Sequence, residues 1–180
     1  MYKRQSRAEA ELMIERLAHY MAGVPGEVDV ETAFTADVGR ARLVGRIDRV
    51  ERLGPADGDG EVVRVVDLKT SKNPVSEEEA GTNAQLATYQ VAVEAGGLPG
   101  AAETAGARLV YLGTGKAGAT ERRQVPPRDA EDPAWAHTLV ARVADTMSGA
   151  SFEARVNPGC SHCPVRRSCP LQSEGRQVTQ

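Results

Sequence analysis

An aspartate at position 67 and a lysine at position 69, within VVDLKTSK (65–72), are the pair in this sequence best placed to do chemistry. At positions i and i+2 of a strand, a carboxylate and an ammonium lie on one face, about 7 Å apart along the backbone. A second carboxylate, Asp48, stands 19 residues earlier in GRIDRV (45–50). Val65, Val66 and Leu68 surround Asp67, which reads as a largely buried strand presenting two charged groups at its end. Buried charge is costly unless it is paired or bound to metal. Two carboxylates on neighbouring strands suit a hard cation such as Mg2+, which keeps some of its waters. Metal-bound water is a better nucleophile, and the metal stabilises charge on a phosphoryl oxygen. Lys69 would orient that water or offset the developing charge. The plainer alternative is an ordinary ion pair, Asp67–Lys69 or Asp48–Lys69, on a sheet edge.

Sulfur is the other reactive element. The chain holds three cysteines, spaced Cys160-x2-Cys163-x5-Cys169. An odd, clustered set is a poor disulfide framework and a better metal signature. Thiolates suit zinc or an iron–sulfur cluster. Zinc bound by the three cysteines and His162 is possible on spacing, although ligands at 160, 162 and 163 would crowd a tetrahedron. Unliganded thiols are the third reading.

The elements that must position these groups follow from periodicity. Residues 6–21 carry Ala8, Leu12, Ile14, Leu17, Ala18 and Met21 at roughly helical period, and Gly23 and Pro25 end that helix. Strands are expected over 28–34, 40–52 and 61–70; the turn-rich GPADGDG between the last two makes them a hairpin. Val44, Arg46, Asp48 and Val50 share one parity, and Val63, Val65, Asp67 and Lys69 share another, so the hairpin can bring Asp48 beside Asp67. Ser76 and Glu79 resemble a capping box ahead of a helix over 83–95. Residues 107–112 read as a fourth strand that 120–125 could join. A helix over 131–148 would bury a stripe of Trp135, Leu139, Val143 and Met147. The last 28 residues have little regular signal. GTGKAG (113–118) lacks the spacing of a phosphate-binding loop and reads as a turn.

Composition bounds the rest. One hundred and eighty residues, 41% hydrophobic and 26% charged, fit one globular domain with a small appendage. No run approaches the roughly 18 apolar residues of a membrane span, and Glu9, Glu11, Glu15 and Arg16 interrupt any signal-peptide core. A cytoplasmic protein without a membrane partner is expected. The net charge of −3 is uneven: residues 154–180 carry four bases and one acid, against 18 bases and 24 acids in 1–153. A basic tail on an acidic body could touch phosphates, or be an unevenly charged solvated surface.

In order, GRIDRV, VVDLKTSK and NAQLATYQ resemble the core of the PD-(D/E)XK nuclease superfamily, in its RecB-like branch. The tail FEARVNPGCSHCPVRRSCPL is similar to the cysteine-rich end of iron–sulfur nucleases of the AddB and AdnAB helicase–nuclease type. The resemblance spans about residues 28–176. It implies an α/β (α+β), restriction-endonuclease-like core over 1–153, a central mixed sheet flanked by helices, with an irregular cluster-binding tail over 154–180. It implies that Asp48 and Asp67 ligate a catalytic Mg2+ or Mn2+, and that Lys69 is the catalytic lysine. Gln85 and Tyr89 match a QxxxY element; i, i+4 spacing puts them on one helix face, where they would contact the site and the DNA backbone or form a buried polar cap over the sheet. Cys160, Cys163 and Cys169 would hold a structural [4Fe–4S] cluster whose fourth cysteine this chain lacks. The family's upstream metal-binding histidine has no clear counterpart: His19 lies only 29 residues before Asp48, and His137 is expected to be structural. The implied function is a metal-dependent DNA nuclease, exonucleolytic, serving double-strand-break repair beside a helicase region. A catalytically weak, DNA-binding or scaffolding module is the alternative. The missing cysteine and histidine are expected upstream, making this chain the C-terminal part of a larger nuclease.

Overall fold

Alternating side chains over residues 28–69 produce three consecutive antiparallel strands. The computed structural model describes residues 2–24, 26–115, 118–151, 153–173 and 175, with side chains from residue 7 onward. Pro25, Lys116 and Arg176, each used in the sequence argument, lie outside the described residues. The chain divides into two compact units, residues 1–144 and 145–180.

In the first unit, β1 (Val28–Val38), β2 (Ala41–Pro55), β3 (Glu61–Lys69), β4 (Ala101–Tyr111) and β5 (Thr120–Gln124) form one mixed sheet in the order β1-β2-β3-β4-β5. The β3–β4 pair is parallel and every other pair antiparallel. Between β3 and β4 run α2 (Glu77–Gly81) and α3 (Ala84–Glu94), the helical crossover that a parallel pair needs. The expected mixed sheet flanked by helices is therefore the observed architecture. β4 begins six residues earlier than expected because the small residues 101–106 pair with β3 through a bulge rather than by alternation.

One sheet face packs against α3: Val50, Val63, Val65 and Leu109 enclose a core with Leu86, Ala92 and Val93. The opposite face packs against α1 (Tyr2–Ala22), where Met13, Leu17 and Tyr20 meet Val66, Leu68 and Val110. Leu12, Ile14 and Met21, which mark the helical period of α1, are exposed. The inward stripe is 13, 17, 20, and Tyr20 fixes that rotation by donating to buried Glu51 at 2.7 Å. Each fully buried Val or Leu contributes about 1.5–3 kcal/mol, so both faces hold the hairpin that carries the acids.

The Ser76–Glu79 capping box is present and opens α2; Asn83 then caps α3 by accepting from Leu86 N. α4 (Trp135–Ser148) buries Ala136 and Val140 against Ala87 and Val91 of α3, with Trp135 and Leu139 alongside. The expected stripe fails in its second half, since Val143 is 49% and Met147 70% exposed. The inward axis runs through Ala136 and Val140. In the second unit two short 3-10 turns, Pro158–His162 and Arg166–Ser168, shape the cysteine segment.

Candidate active site

Register brings the acids together. Arg49 pairs with Val66 and Val50 with Val65, so Asp48 falls beside Asp67 on the α3 side of the sheet. Leu68 N donates to Asp48 Oδ2 at 2.8 Å, tying this carboxylate across to β3. Asp67 is 3% exposed. Burial raises its pKa above the ordinary carboxylate range and Asp48 adds to the rise, while the Lys69 ammonium and the Gln85 amide oppose it.

Lys69 Nζ lies 2.6 Å from Asp67 Oδ2, off the hydrogen-bonding direction, so that oxygen has an ion-pair partner and no hydrogen bond. From α3, Gln85 Nε2 donates to Asp67 Oδ1 at 2.6 Å, and Gln85 Oε1 accepts from Lys69 Nζ at 3.2 Å. One amide thereby bridges acid and base. Gln85 Nε2 also donates to Tyr89 Oη at 2.9 Å, and Tyr89 donates to the Arg46 carbonyl at 3.3 Å. Burial pushes the Tyr89 pKa up, which keeps it a neutral phenol. All five expected site residues in this unit stand in one connected patch.

Sequence reasoning missed two supports. The Phe34 ring packs edge-on against Tyr89 with centroids 5.8 Å apart. Gly45, Phe34's cross-strand partner, makes room: a Cβ there would sit 2.7 Å from that ring. An aromatic opposite a glycine is readable only once register is known. Glu31, the described non-glycine residue with positive φ (51°), lies between Val30 and Thr32, whose partners Arg49 and Ile47 bracket Asp48. Its carboxylate turns to Arg46, at 3.6 Å.

A buried oxygen without a hydrogen bond, already drawn to a cation, beside a second carboxylate, is a donor set that fits a divalent metal. Asp48 and Asp67 would hold it. Among the described residues no group of three His, Cys, Asp or Glu side chains is drawn together, so water or substrate would complete the shell, as Mg2+ tolerates. When bound, such an ion activates water and stabilises phosphoryl charge. Gln85 meanwhile holds Asp67 Oδ1 and keeps the Lys69 ammonium beside the paired carboxylates.

Neither His19 nor His137 joins the carboxylates. His19 lies against Gly118, and His137 Nε2 bonds Glu94 at 2.8 Å, a structural position as expected. The three cysteines are separate free thiols rather than a gathered cage; Cys160 Sγ accepts from Asn157 N at 3.3 Å.

Paired carboxylates and a lysine at the open end of the β2–β3 hairpin, backed by a glutamine-bearing helix, form the candidate centre. The chain belongs to the PD-(D/E)XK nuclease superfamily, whose family model matches residues 1–170. Comparison with curated proteins found no match. Among the described residues no helix is long and apolar enough to cross a membrane.

Proposed function

We propose that this chain is a DNA nuclease module of the RecB-like branch, hydrolysing phosphodiester bonds from strand ends with Mg2+ or Mn2+ held by Asp48 and Asp67. The observation that carries the reading is the Gln85 amide bridging Asp67 and Lys69 while Asp48 is tied to the same strand. A simple surface ion pair needs neither the burial of Asp67 nor the bridging amide. Lys69 offsets charge developing on the phosphate; Gln85 and Tyr89 position the acids and face the DNA backbone. The similarity of the tail to AddB and AdnAB-type proteins supports a cytoplasmic role in double-strand-break processing beside a helicase region. It also supports a structural [4Fe–4S] cluster on Cys160, Cys163 and Cys169, with a fourth ligand from outside this chain.

The test is Mg2+-dependent release of nucleotides from end-labelled linear DNA. Wild-type protein releases label, and Asp67→Ala and Lys69→Ala lose most of the rate; equal rates in all three would sink this site. A second reading, a weakly catalytic DNA-binding module, draws on the gathering of only two carboxylates among the described residues. It expects tight DNA binding with no release of label.

A further inference from the structure

On the sheet face opposite the carboxylates, guanidinium groups converge on an open groove of about 220 Å³. Arg64, Arg108 and Arg123 line it, with Ala105, Ala107 and Pro126. Its floor is the irregularity in β4, where three steps from Thr104 to Ala107 match two from Val63 to Val65 and Gly106 takes φ 98°.

The charges around the groove do not cancel. Arg108 and Arg123 share one carboxylate, Glu121, at 2.8 and 3.8 Å. Arg64 reaches Glu51 at 3.2 Å, but that carboxylate is fully buried and already held by Arg49 at 3.1 Å and by the Tyr20 hydroxyl. Setting Glu51 against Arg49 leaves three cations against Glu121, 3 − 1 = +2, on a chain of net charge −3. The Arg64 and Arg108 side chains are only 22% and 17% exposed, so their charges are screened less than those of free surface arginines.

We propose that this groove binds a phosphodiester group of a nucleic-acid strand outside the catalytic centre. The proposal rests on the nuclease reading above and assigns that enzyme a second contact with its substrate. Guanidinium forks match phosphate oxygens in two-point fashion. The volume falls below the roughly 300 Å³ at which pockets take whole small molecules, which favours one backbone group over a complete nucleotide. Its position suits a strand being cut. Arg64 precedes Asp67 by three residues on β3, about 10 Å along the strand. β5 lies at the sheet edge, with Arg122 and Arg123 on opposite faces: Arg122 bonds the Val75 carbonyl at 2.6 Å on the α3 side, and Arg123 pairs with Arg108 across the groove side. Phosphate contacts of this kind fix register without reading bases.

The experiment measures binding of a labelled 20-nucleotide strand by fluorescence anisotropy, in EDTA so that nothing is cut, across a salt series. Arg123 is well exposed, so Arg123→Glu and Arg123→Gln leave the fold intact, checked by thermal melting. Arg123→Glu is expected to weaken binding about tenfold and to lower the salt slope by roughly one, with Arg123→Gln in between. Mg2+-dependent hydrolysis of bis(p-nitrophenyl) phosphate, too small to span both sites, is expected to be unchanged in both. Unaltered strand affinity and slope with hydrolysis intact overturns the groove alone. A wild-type protein that releases no label from linear DNA in Mg2+ overturns the nuclease reading beneath it. Displacement of the strand by inorganic phosphate at matched phosphate concentration, or equal Arg123-dependent binding of a poly-glutamate peptide, would reassign the groove to a free anion or an acidic protein segment and overturn the strand proposal.

Discussion

Asp67 shows how function and stability oppose each other at one residue. Its carboxyl is buried, and burial holds its pKa above the usual range despite Lys69 and Gln85. A carboxyl with a raised folded-state pKa contributes its full stabilisation below its ordinary pKa, and that contribution is lost as pH rises through the raised value. At neutral pH the ionised form therefore costs stability. In metal-free protein, Asp67→Asn should raise the melting temperature by a few degrees at pH 7, with the gain vanishing as pH falls below the ordinary carboxylate value. Adding Mg2+ should then stabilise the wild type and not the variant, since only a ligand-binding native state gains. Thermal melts over a pH series, with and without Mg2+, check both; a variant less stable than wild type at pH 7 contradicts this account of Asp67. Gly45 is the complementary case, a site support with no charge. Gly45→Ala drives a methyl into the Phe34 ring and should cost about 1–3 kcal/mol, with cleavage falling further than stability accounts for because Tyr89 loses its edge contact.

At the scale of elements, α3 must be held in register for Gln85 to bridge Asp67 and Lys69, and a buried amide network does this. Gln124 on β5 donates from Nε2 to the carbonyls of Ala80, Gly81 and Asn83, the corner between α2 and α3. Its Oε1 accepts from Gln90 at 2.9 Å, and Gln90 Oε1 accepts from Thr104 at 3.0 Å. Gln124→Leu leaves those carbonyls without their donor and should cost about 1–3 kcal/mol. Hydrogen exchange should quicken first at residues 80–90; uniform loss of protection across the sheet instead would deny the network its local role. None of this was legible beforehand, because a glutamine ending a short strand carries no signal until its partners are known. The hairpin, the capping box and the i, i+4 pair Gln85–Tyr89 were legible, since each rests on local spacing. The face of α4 was misread where Val143 and Met147 were counted inward. Periodicity states that a stripe exists, whereas polar anchors such as Tyr20–Glu51 set its rotation.

Across the whole molecule, the first unit carries a mixed sheet with a different helix on each face: α3 over the acids, α1 over the ionic cluster of Arg49, Glu51 and Arg64. The order of the three motifs along the sequence sufficed to place the core within its superfamily, because Asp48, Asp67 and Gln85 sit in that order on β2, β3 and α3. The arginine groove was not legible, since Arg64, Arg108 and Arg123 are scattered in sequence and only strand pairing gathers them. In the second unit Cys160, Cys163 and Cys169 form no disulfide. If they take up an iron–sulfur cluster with an outside ligand, anaerobically reconstituted protein should show broad visible absorbance that Cys163→Ala abolishes. Zinc uptake with no colour would contradict the cluster. The central claim is that Asp48, Asp67 and Lys69 form a metal-dependent phosphodiester-cleaving centre. It is tested most directly by the single-turnover cleavage rate of linear DNA at saturating Mg2+, in wild type and Lys69→Met. The account predicts a rate at least about a hundredfold lower in the variant, the loss expected from removing one charge-stabilising group, with DNA affinity little changed. Equal rates, or wild-type cleavage that persists in EDTA, would contradict it.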